Sequence, residues 1–326
     1  MEIVPTVDRL LKNPILKPNM DDVMGNNLCG PSLIRVPSWI KNPLGRYYIY
    51  FANHMGRYIR LAYADHLRGP WRTYRPGALS VEQSLFVDVS PPEQSLEDRP
   101  VWADEQKAGY LYAHVASPDV HIDNIRKQIR MYYHGLLDNG DQQTRVAYSD
   151  NGIEFHAKKH LLGPSYFRVF EFKETIYALS WGGAVHCSQS WDKPFETRDE
   201  PILVPAMDNH KLTIRHLCVF LLDQTLHVFY SCIGDKPESL YHCPVLLHPD
   251  WKDWQAGPIS KILQPVLDWE GVGKQEVVSE IGPSMGYAPD LRDPYVFKDN
   301  GEIYLLYCGG AEYGGIGIAS VSFNAP

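Results

Sequence analysis

Histidine, aspartate and arginine side chains recur at two kinds of position in this chain of 326 residues. Some stand where an apolar, strand-like run begins, and others stand where the following run ends. Imidazoles titrate near pH ~6.5 and carboxylates accept or orient protons, so the two types suit acid–base chemistry near neutral pH. Arginine forms paired hydrogen bonds with carboxylates, and tryptophan offers a flat face to a sugar ring. The candidates for proton transfer are Asp119, His134 and His54, and the candidates for substrate binding are Arg292, Asp293, Arg215, His216, Trp181 and His121.

The histidines in this set also leave a metal site open. His54 and His134 stand at equivalent run ends in neighbouring repeats, and with His216 they could hold a divalent metal on a shared axis. No HxH or HxxxH spacing supports such a site. The sequence therefore predicts an enzyme without a cofactor and keeps the axial metal as the alternative.

The aspartates, arginines and tryptophan have structural alternatives as well. Asp119 and Asp293 could accept backbone N–H bonds where their strands begin, and His121 shares the strand face of Asp119. The two arginines could pair with neighbouring aspartates instead of a substrate, and Trp181 could pack between repeats.

The elements that carry these residues form a repeated unit, whose clearest copy runs from Arg292 to Gly310. It reads as an apolar strand, a tight Asp-Asn-Gly turn at 299–301, and an aromatic and β-branched strand, which is typical of a hairpin. Weaker copies begin at Gly30, Ser117, Gly163 and Arg215, and a third strand-like run follows each copy. Five three-stranded units at uneven spacing predict an all-β, five-bladed β-propeller rather than an unrepeated sandwich.

The prediction is a single propeller domain over residues 1–326. The lead-in PILKPNMDD is expected to form an outer strand that pairs with the C-terminal GIGIASVSF, because closing a propeller joins the two chain ends. If the second of two long insertions covers the central funnel, Tyr287 and Glu280 would join the site. The predicted blades are 30–74, 109–155, 163–195, 213–247 and 290–324, and the insertions are 75–108 and 248–288.

Propeller geometry brings the candidate residues together. The first strand of each blade starts near the central axis, and the second strand returns to the same end of the molecule. Five separate stretches are therefore expected to deliver their polar groups to one funnel. Polar groups that converge around an aromatic side chain are typical of a small-molecule site.

Composition excludes several other classes of function. The net charge of −8 and the lack of a basic stripe argue against binding to nucleic acid. No apolar run approaches the ~18 residues of a membrane span. The N-terminus lacks the pattern of a signal peptide, so a cytoplasmic location is expected, or secretion if a signal has been removed. The six cysteines form no CxxC pair and mostly lie in apolar runs, which predicts reduced, structural thiols.

Several short motifs carry a resemblance to known enzymes. IRLAYADHLRGPW at 59–71, RDPYVF at 292–297 and YCGGAEYGGIGIAS at 307–320 resemble the strands of glycoside hydrolase family 43 and its relatives in families 32, 62, 68, 117 and 130. The likeness covers nearly the whole chain as architecture. It implies a five-bladed propeller and the chemistry of inverting glycosidases, in which an Asp of the first blade is the base, a later Asp tunes the site and a Glu is the acid.

The chain departs from that pattern at the residues that matter most for catalysis. The first and third blades start with Gly-Pro-Ser, and the fourth starts with Arg215-His216, so no carboxylate stands where the base and the tuning Asp are expected. The Arg-Asp-Pro motif that stabilises the transition state in family 32 is present at 292–294, but in the last blade.

Three hypotheses follow. The leading one is a glycoside hydrolase that acts on a terminal sugar of an oligosaccharide or glycoside, with non-standard Asp and His acid–base residues. The second is a His-dependent lyase or isomerase of acidic sugars, favoured by the missing triad and the two arginines. The third is a propeller that binds a glycan without chemistry. None of the three involves nucleic acid or a membrane.

Overall fold

Five antiparallel sheets arranged as the blades of a β-propeller make up the fold. The computed structural model describes residues 4–53, 56–91, 111–203, 206–207, 210–282 and 284–323. The prediction of an all-β, five-bladed propeller is confirmed. Consecutive strands of a blade pair as hairpins, because tight turns such as Asp299-Asn300-Gly301 separate runs rich in Tyr, Val and Ile.

The first three blades follow one another along the chain after a short N-terminal strand, β1 (Thr6–Arg9). Blade I contains β2 (Cys29–Arg35), β3 (Tyr47–Ala52), β4 (Tyr58–Ala64) and β5 (Arg72–Ser80). Blade II contains β6 (Val115–Asp123), β7 (Gln128–Leu136) and β8 (Gln142–Ser149), with β9 (His156–Ala157) and β10 (Gly163–Pro164) on its outer edge. Blade III contains β11 (Arg168–Phe172), β12 (Thr175–Leu179), β13 (Val185–Ser188) and β14 (Glu196–Thr197).

A two-stranded ribbon precedes the last two blades and consists of β15 (Ala206–Met207) and β16 (His210–Lys211). Blade IV contains β17 (Thr213–Leu222), β18 (Thr225–Ile233), β19 (Leu240–Leu246) and β20 (Ser260–Leu263). Blade V contains β21 (Leu291–Asp299), β22 (Glu302–Gly309) and β23 (Gly315–Ser322), with β1 as its outer strand. Short 3₁₀ turns lie at Val81–Gln83, Trp181–Gly183, Trp251–Asp253 and Asp268–Glu270. None of the helices among the described residues has the length and apolar character needed to cross a membrane.

The chain ends close the propeller as predicted, but through a different N-terminal segment. β1 pairs with β23 from Thr6 opposite Ser322 to Arg9 opposite Ala319. The segment PILKPNMDD contributes only one bridge, between Leu16 and Ile316. Two prolines deprive that segment of the N–H donors that a longer ladder needs, which explains why the outer strand forms upstream.

Three predicted boundaries are wrong, and for the same reason. Residues 75–80 belong to β5 rather than to the first insertion, and β20 in the second insertion is the fourth strand of blade IV. Gly163 and Pro164 pair with β8 of blade II instead of opening blade III. These outer strands are short or interrupted by proline, so they lack the clear apolar alternation by which the inner strands are recognised.

Each interface between neighbouring blades has its own apolar cluster. Tyr50 and Phe155 meet edge to face between blades I and II, and Phe170 packs near Trp254 between blades III and IV. Three further clusters join blades II and III, IV and V, and V and I. Arg168 is also buried and donates to the carbonyl oxygens of Ser117 and Leu217, at 3.1 and 3.0 Å. These contacts hold the first strands of neighbouring blades in one arrangement around the axis.

The six cysteines form no disulfide, and five of them are buried. Burial raises the pKa of Cys218 and Cys243, which keeps these thiols protonated and agrees with the predicted structural role.

Candidate active site

The starts of the blades converge on one cavity, which we call the axial cavity. It encloses about 220 Å³. Strand starts, strand ends and three connecting segments supply its walls, and the convergence of strand starts and ends is what the propeller geometry predicts. The lining residues include Cys29, Ser117, Ser165, Tyr166, Arg215 and His216 at strand starts, His134, Trp181 and Ile233 at or near strand ends, and Tyr112, His114, Asp141, Gln142, Ile281 and Gly282 from connecting segments.

A recurrent β-bulge explains why strand starts reach the axis. In four blades the pairing of the first and second strands skips two residues of the first strand. Bulges bend a strand and change the direction of its side chains. Ser117 and Asp293 occupy such bulges with positive φ values of 51°, and each precedes a proline. Tyr166, at the start of blade III, also has a positive φ of 67°. The backbone thus presents one or two residues per blade to the centre.

His216 and Asp293 form a buried pair at this centre. Nδ1 of His216 lies 2.9 Å from Oδ1 of Asp293, and the two residues are 3% and 1% exposed. Burial lowers the pKa of the His216 imidazole, against the opposing effect of the Asp293 carboxylate. The imidazole is therefore neutral near pH 7, and the carboxylate sets its orientation and tautomer.

Tyr166 contacts two histidines in the axial cavity. Its ring centroid lies 4.3 Å from that of His134 and 4.9 Å from that of His216. Burial and the Asp293 charge raise the pKa of the Tyr166 hydroxyl, which also hydrogen-bonds to Ser117. A tyrosine in this state remains protonated and is able to donate a hydrogen bond to a bound molecule.

His114 extends this group of rings. It packs edge-on against His134 at 5.5 Å, and its Nδ1 lies 2.8 Å from the Tyr112 carbonyl oxygen. Burial lowers the pKa of His114. The cavity therefore contains three imidazoles, of which two contact the same tyrosine.

The structure places both predicted substrate-binding arginines in internal contacts. Arg215 lines the cavity, but it donates to the Gly282 carbonyl at 2.8 Å, to Ser279 Oγ at 2.9 Å and to the Glu280 carbonyl. Its Nε lies 3.2 Å from Glu238. Arg292 does not belong to the lining residues.

Arg292 instead completes a buried ion network. It donates to Asp290 at 2.6 Å and to Glu238 at 3.2 Å. Burial by itself raises the pKa of the Glu238 carboxyl. The charges of Arg215 and Arg292 outweigh this effect, so the pKa is lowered overall. This arrangement corresponds to the ion-pair alternative for the two arginines.

Asp119 and His121 lie outside the axial cavity. Asp119 Oδ2 accepts the backbone N–H of Val169 and contacts His121 Nε2, both at 2.8 Å. Burial opposes ionisation, but His121 and Arg168 lower the pKa of the Asp119 carboxyl. His121 packs against Tyr132 and is partly exposed. Asp119 thus links blades II and III, which corresponds to the structural alternative for this residue.

The remaining predicted residues divide between the cavity and its surroundings. His134, His216 and Trp181 line the cavity, and Asp293 stands behind His216. His54 lies outside the described residues. The second insertion does reach the cavity, but through Ile281 and Gly282 rather than through Tyr287 or Glu280. The hydroxyl of Tyr287 donates to the Asp268 carbonyl instead.

Several cavity residues were not selected by sequence reasoning, among them Tyr166, Ser117, His114 and Asp141. Ser117 begins one of the predicted strand starts, so the positional argument had already placed it at the funnel. Tyr166 directly follows the Gly163-Pro164-Ser165 stretch that was predicted to open blade III, and extending the same argument by one residue would have identified it. His114 precedes the first strand of blade II, where no motif marks it. Asp141 lies in the turn after β7, with its carboxylate bonded to the Gln142 N–H at 2.9 Å and to the Gln143 side chain at 3.1 Å.

Within the described part of the chain, no group of three or more His, Cys, Asp or Glu side chains is arranged to hold a metal ion. The axial metal stays a prediction.

Comparisons with known proteins support the architecture. No protein-family model matches the chain. An uncharacterized protein of Acanthamoeba polyphaga mimivirus is 29% identical over 306 residues, which cover 88% of this chain and 82% of the viral protein.

Solved structures with the same fold share little sequence with this chain. A thermostable family-43 glycoside hydrolase is 15% identical, with a TM-score of 0.58 over 92% of this chain and 93% of the other. A family-43 β-xylosidase/α-arabinofuranosidase from a compost metagenome, in complex with xylotriose, is 12% identical, with a TM-score of 0.57 over 99% and 96%. An N-acetylgalactosamine deacetylase from F. plautii, in complex with blood group B trisaccharide, is 9% identical, with a TM-score of 0.58 over 96% and 95%. At these identities the likeness shows the fold, and it confirms the resemblance to the family-43 propeller as architecture.

Proposed function

We propose that this propeller is a carbohydrate-active enzyme, most simply a glycoside hydrolase, that acts on a terminal sugar in the axial cavity. The observation that carries the proposal is the buried pair of His216 and Asp293, 2.9 Å apart, beside a cavity that also presents His134 and Tyr166. Solved structures with this fold include enzymes that act on glycans, which supports the substrate class by analogy of fold alone.

The chemistry assigned to His216 is that of a general base. A neutral imidazole accepts a proton from water or from a sugar hydroxyl, and Asp293 stabilises the imidazolium that results. Burying an unpaired imidazolium would be costly, so the adjacent carboxylate makes the transfer feasible inside the cavity.

Hydrolysis of a glycoside also needs a donor for the leaving oxygen. His134 is the candidate for this role because it lines the same cavity and contacts Tyr166. Tyr166, which remains protonated, is assigned to hydrogen-bonding a substrate oxygen. In this proposal Asp119 has no role in proton transfer, because its carboxylate is committed to Val169 and His121.

The arrangement of charges favours a neutral sugar over an acidic one. Among the described lining residues, Arg215 is the cation. Its N–H groups already bond to Gly282, Ser279 and Glu280 of the second insertion, and it also pairs with Glu238. A uronic acid would bury its carboxylate without a matched guanidinium, which is unfavourable. This observation weakens the lyase or isomerase hypothesis.

The test is mass spectrometry of products after incubation of the full chain with neutral and uronic-acid oligosaccharides. We expect products that together have gained one water. Replacing His216 or His134 by Ala should lower turnover at least about a hundredfold. His248→Ala is the matched control, because that histidine is exposed and does not line the axial cavity.

Each other result would exclude part of the proposal. Products whose masses sum to that of the substrate would identify a lyase. Wild-type turnover in His216→Ala would remove the assigned base. A panel that binds to the protein but remains unchanged would identify a glycan-binding propeller without chemistry.

A further inference from the structure

The walls of the axial cavity differ in chemical character. Blade II and its neighbouring segments contribute polar groups, among them Ser117, His134 and Gln142. Blade IV contributes the polar Arg215 and His216, but beside them the lining is apolar at two side chains: Ile233, which ends β18, and Ile281, which belongs to the following insertion. Both isoleucines are half-buried and border the cavity. We call these two side chains the isoleucine corner.

Backbone hydrogen bonds join the two segments that carry the isoleucines. The Gly234 N–H donates to the Ser279 carbonyl at 2.8 Å, and the Ser279 N–H donates to the Asp235 carbonyl at 2.9 Å. These bonds join the segment after Ile233 to the segment before Ile281. The isoleucine corner is therefore built from two chain segments that are paired directly, and not from separate surface loops.

Buried charges hold the corner in place. Arg215 donates to the Gly282 carbonyl at 2.8 Å and to Ser279 Oγ at 2.9 Å, which places its bonds on both sides of Ile281. Ser279 Oγ in turn donates to Glu238 at 2.7 Å. Glu238 is 2% exposed. A wall fixed in this way does not easily turn away to expose a polar group, so its apolar character contributes to selectivity.

The corner has a consequence for the sugar that fits. A sugar hydroxyl pressed against two isoleucines would lose its water without gaining a hydrogen-bond partner, whereas a methyl group would lose only unfavourable hydration. A cavity of about 220 Å³ is smaller than the ~300–1,000 Å³ of common drug-sized sites, which suits one sugar ring rather than several.

We infer that the axial cavity takes a neutral sugar that bears a methyl group, with the methyl group against Ile233 and Ile281. A 6-deoxyhexose and an N-acetylated amino sugar both supply this chemistry. The inference rests on the proposed function for the location of the sugar, but it concerns selectivity rather than catalysis.

The experiment measures dissociation constants by ligand-observed NMR for pairs of free sugars that differ at one group. The 6-deoxyhexose arm compares L-fucose with L-galactose and L-rhamnose with L-mannose. The acetyl arm compares N-acetyl-D-galactosamine with D-galactose and N-acetyl-D-glucosamine with D-glucose. In at least one pair we expect the methyl-bearing sugar to bind about tenfold more tightly, which is the usual discrimination by one buried methyl or methylene group.

Matched variants connect this preference to the isoleucine corner. Ile281→Ser and Ile233→Ser should each reduce the preference to less than about threefold, since a hydroxyl would then find a partner. Ile125→Ser is the control, because Ile125 is 95% exposed. His216→Ala should abolish turnover and retain the preference for the methyl-bearing sugar.

The outcomes separate this inference from the proposed function. Equal binding within every pair, or no binding of any methyl-bearing sugar, would overturn the inference. In that case the proposed function would still stand if the wild-type protein turned over some glycan and His216→Ala abolished that turnover. A preference that is lost in Ile281→Ser, in a protein that turns over no glycan, would support the inference and remove the proposed function.

Discussion

Nδ1 of His216 lies 2.9 Å from Oδ1 of Asp293, and this contact joins the first strands of blades IV and V. Both residues lie in the β-bulges that direct strand starts toward the axis. A bulge is a local feature, but the pairing of two bulges depends on the closure of the whole propeller. The candidate base is therefore assembled only when the blades are packed together.

Replacing Asp293 by Asn tests the role of the carboxylate directly. Asn tolerates the positive φ of this position and keeps a similar shape, so the fold should be retained. We expect kcat/KM to fall at least about a hundredfold, because the neutral amide neither orients the imidazole in the same way nor stabilises its protonated form. Asp150→Asn, at an exposed position, is the control, and an Asp293→Asn variant with wild-type kcat/KM would remove Asp293 from the mechanism.

The pH dependence of turnover should report the buried state of His216. Because burial lowers the pKa of this imidazole, its neutral form persists below the ordinary value of about 6.5. Activity should decline only as the pH falls through this lowered pKa. In Asp293→Asn the residual activity should decline at a still lower pH, since the carboxylate raises the pKa of His216. An acidic limb at or above pH ~6.5 would contradict this assignment.

Asp119→Asn separates a structural role from a catalytic one. The Asp119 carboxylate accepts the Val169 N–H and contacts His121, and it lies outside the axial cavity. We expect a loss of about 1–3 kcal/mol in the free energy of unfolding, measured with urea, because a charged acceptor of a buried N–H is weakened. Turnover should change less than tenfold. A loss of a hundredfold or more, at unchanged stability, would return Asp119 to the catalytic group.

Glu238→Gln tests the buried ion network that supports the second insertion. Glu238 contacts Arg215 and Arg292, at 3.2 Å in each case, and both guanidinium groups are buried. Removing this charge leaves two buried cations with less compensation, so the free energy of unfolding should fall by about 3–5 kcal/mol. Glu154→Gln, at an exposed glutamate, should change it by less than about 0.5 kcal/mol. A loss below about 1 kcal/mol for Glu238→Gln would mean that the network adds little to stability.

A buried pair of imidazoles in blade IV should make the fold sensitive to acid. His227 Nδ1 lies 2.9 Å from His242 Nε2 in blade IV, and Phe323 covers the His227 ring at 4.1 Å. Burial lowers the pKa of His227 to about 4, and burial together with His227 lowers the pKa of His242 to about 3. The unfolded chain takes up protons near pH 6.5 and the folded chain does not. The stability that this pair contributes is thus complete above pH ~6.5 and is lost as the pH falls toward ~4.

The measurement for this pair is the free energy of unfolding in urea as a function of pH. Between pH ~7 and ~4.5 the wild-type chain should lose more stability than the double variant His227→Gln/His242→Gln. The comparison uses the slope with pH, so a constant cost of the substitutions does not affect it. Equal slopes would show that these two imidazoles do not control the response to acid.

Much of the propeller could be predicted from sequence because its signals are local. The run of apolar residues around Tyr295, the turn at Asn300 and the aromatic strand around Tyr304 specify a hairpin without help from distant residues. The outer strands could not be placed in the same way. β5, β10 and β20 pair on one side alone and are short or interrupted by proline, so only the presence of the neighbouring strand makes them strands.

For the candidate site, the sequence by itself determined which ends of the strands face the centre, because repeat order and strand direction follow from local pattern. His134, His216 and Trp181 lie in the cavity for that reason. Only the tertiary structure decided what each polar group does there. Arg215 is satisfied by the second insertion, whereas Asp293 is directed to His216. These partners are far apart in the chain, and only the packing of the closed propeller determines which buried charge meets which donor.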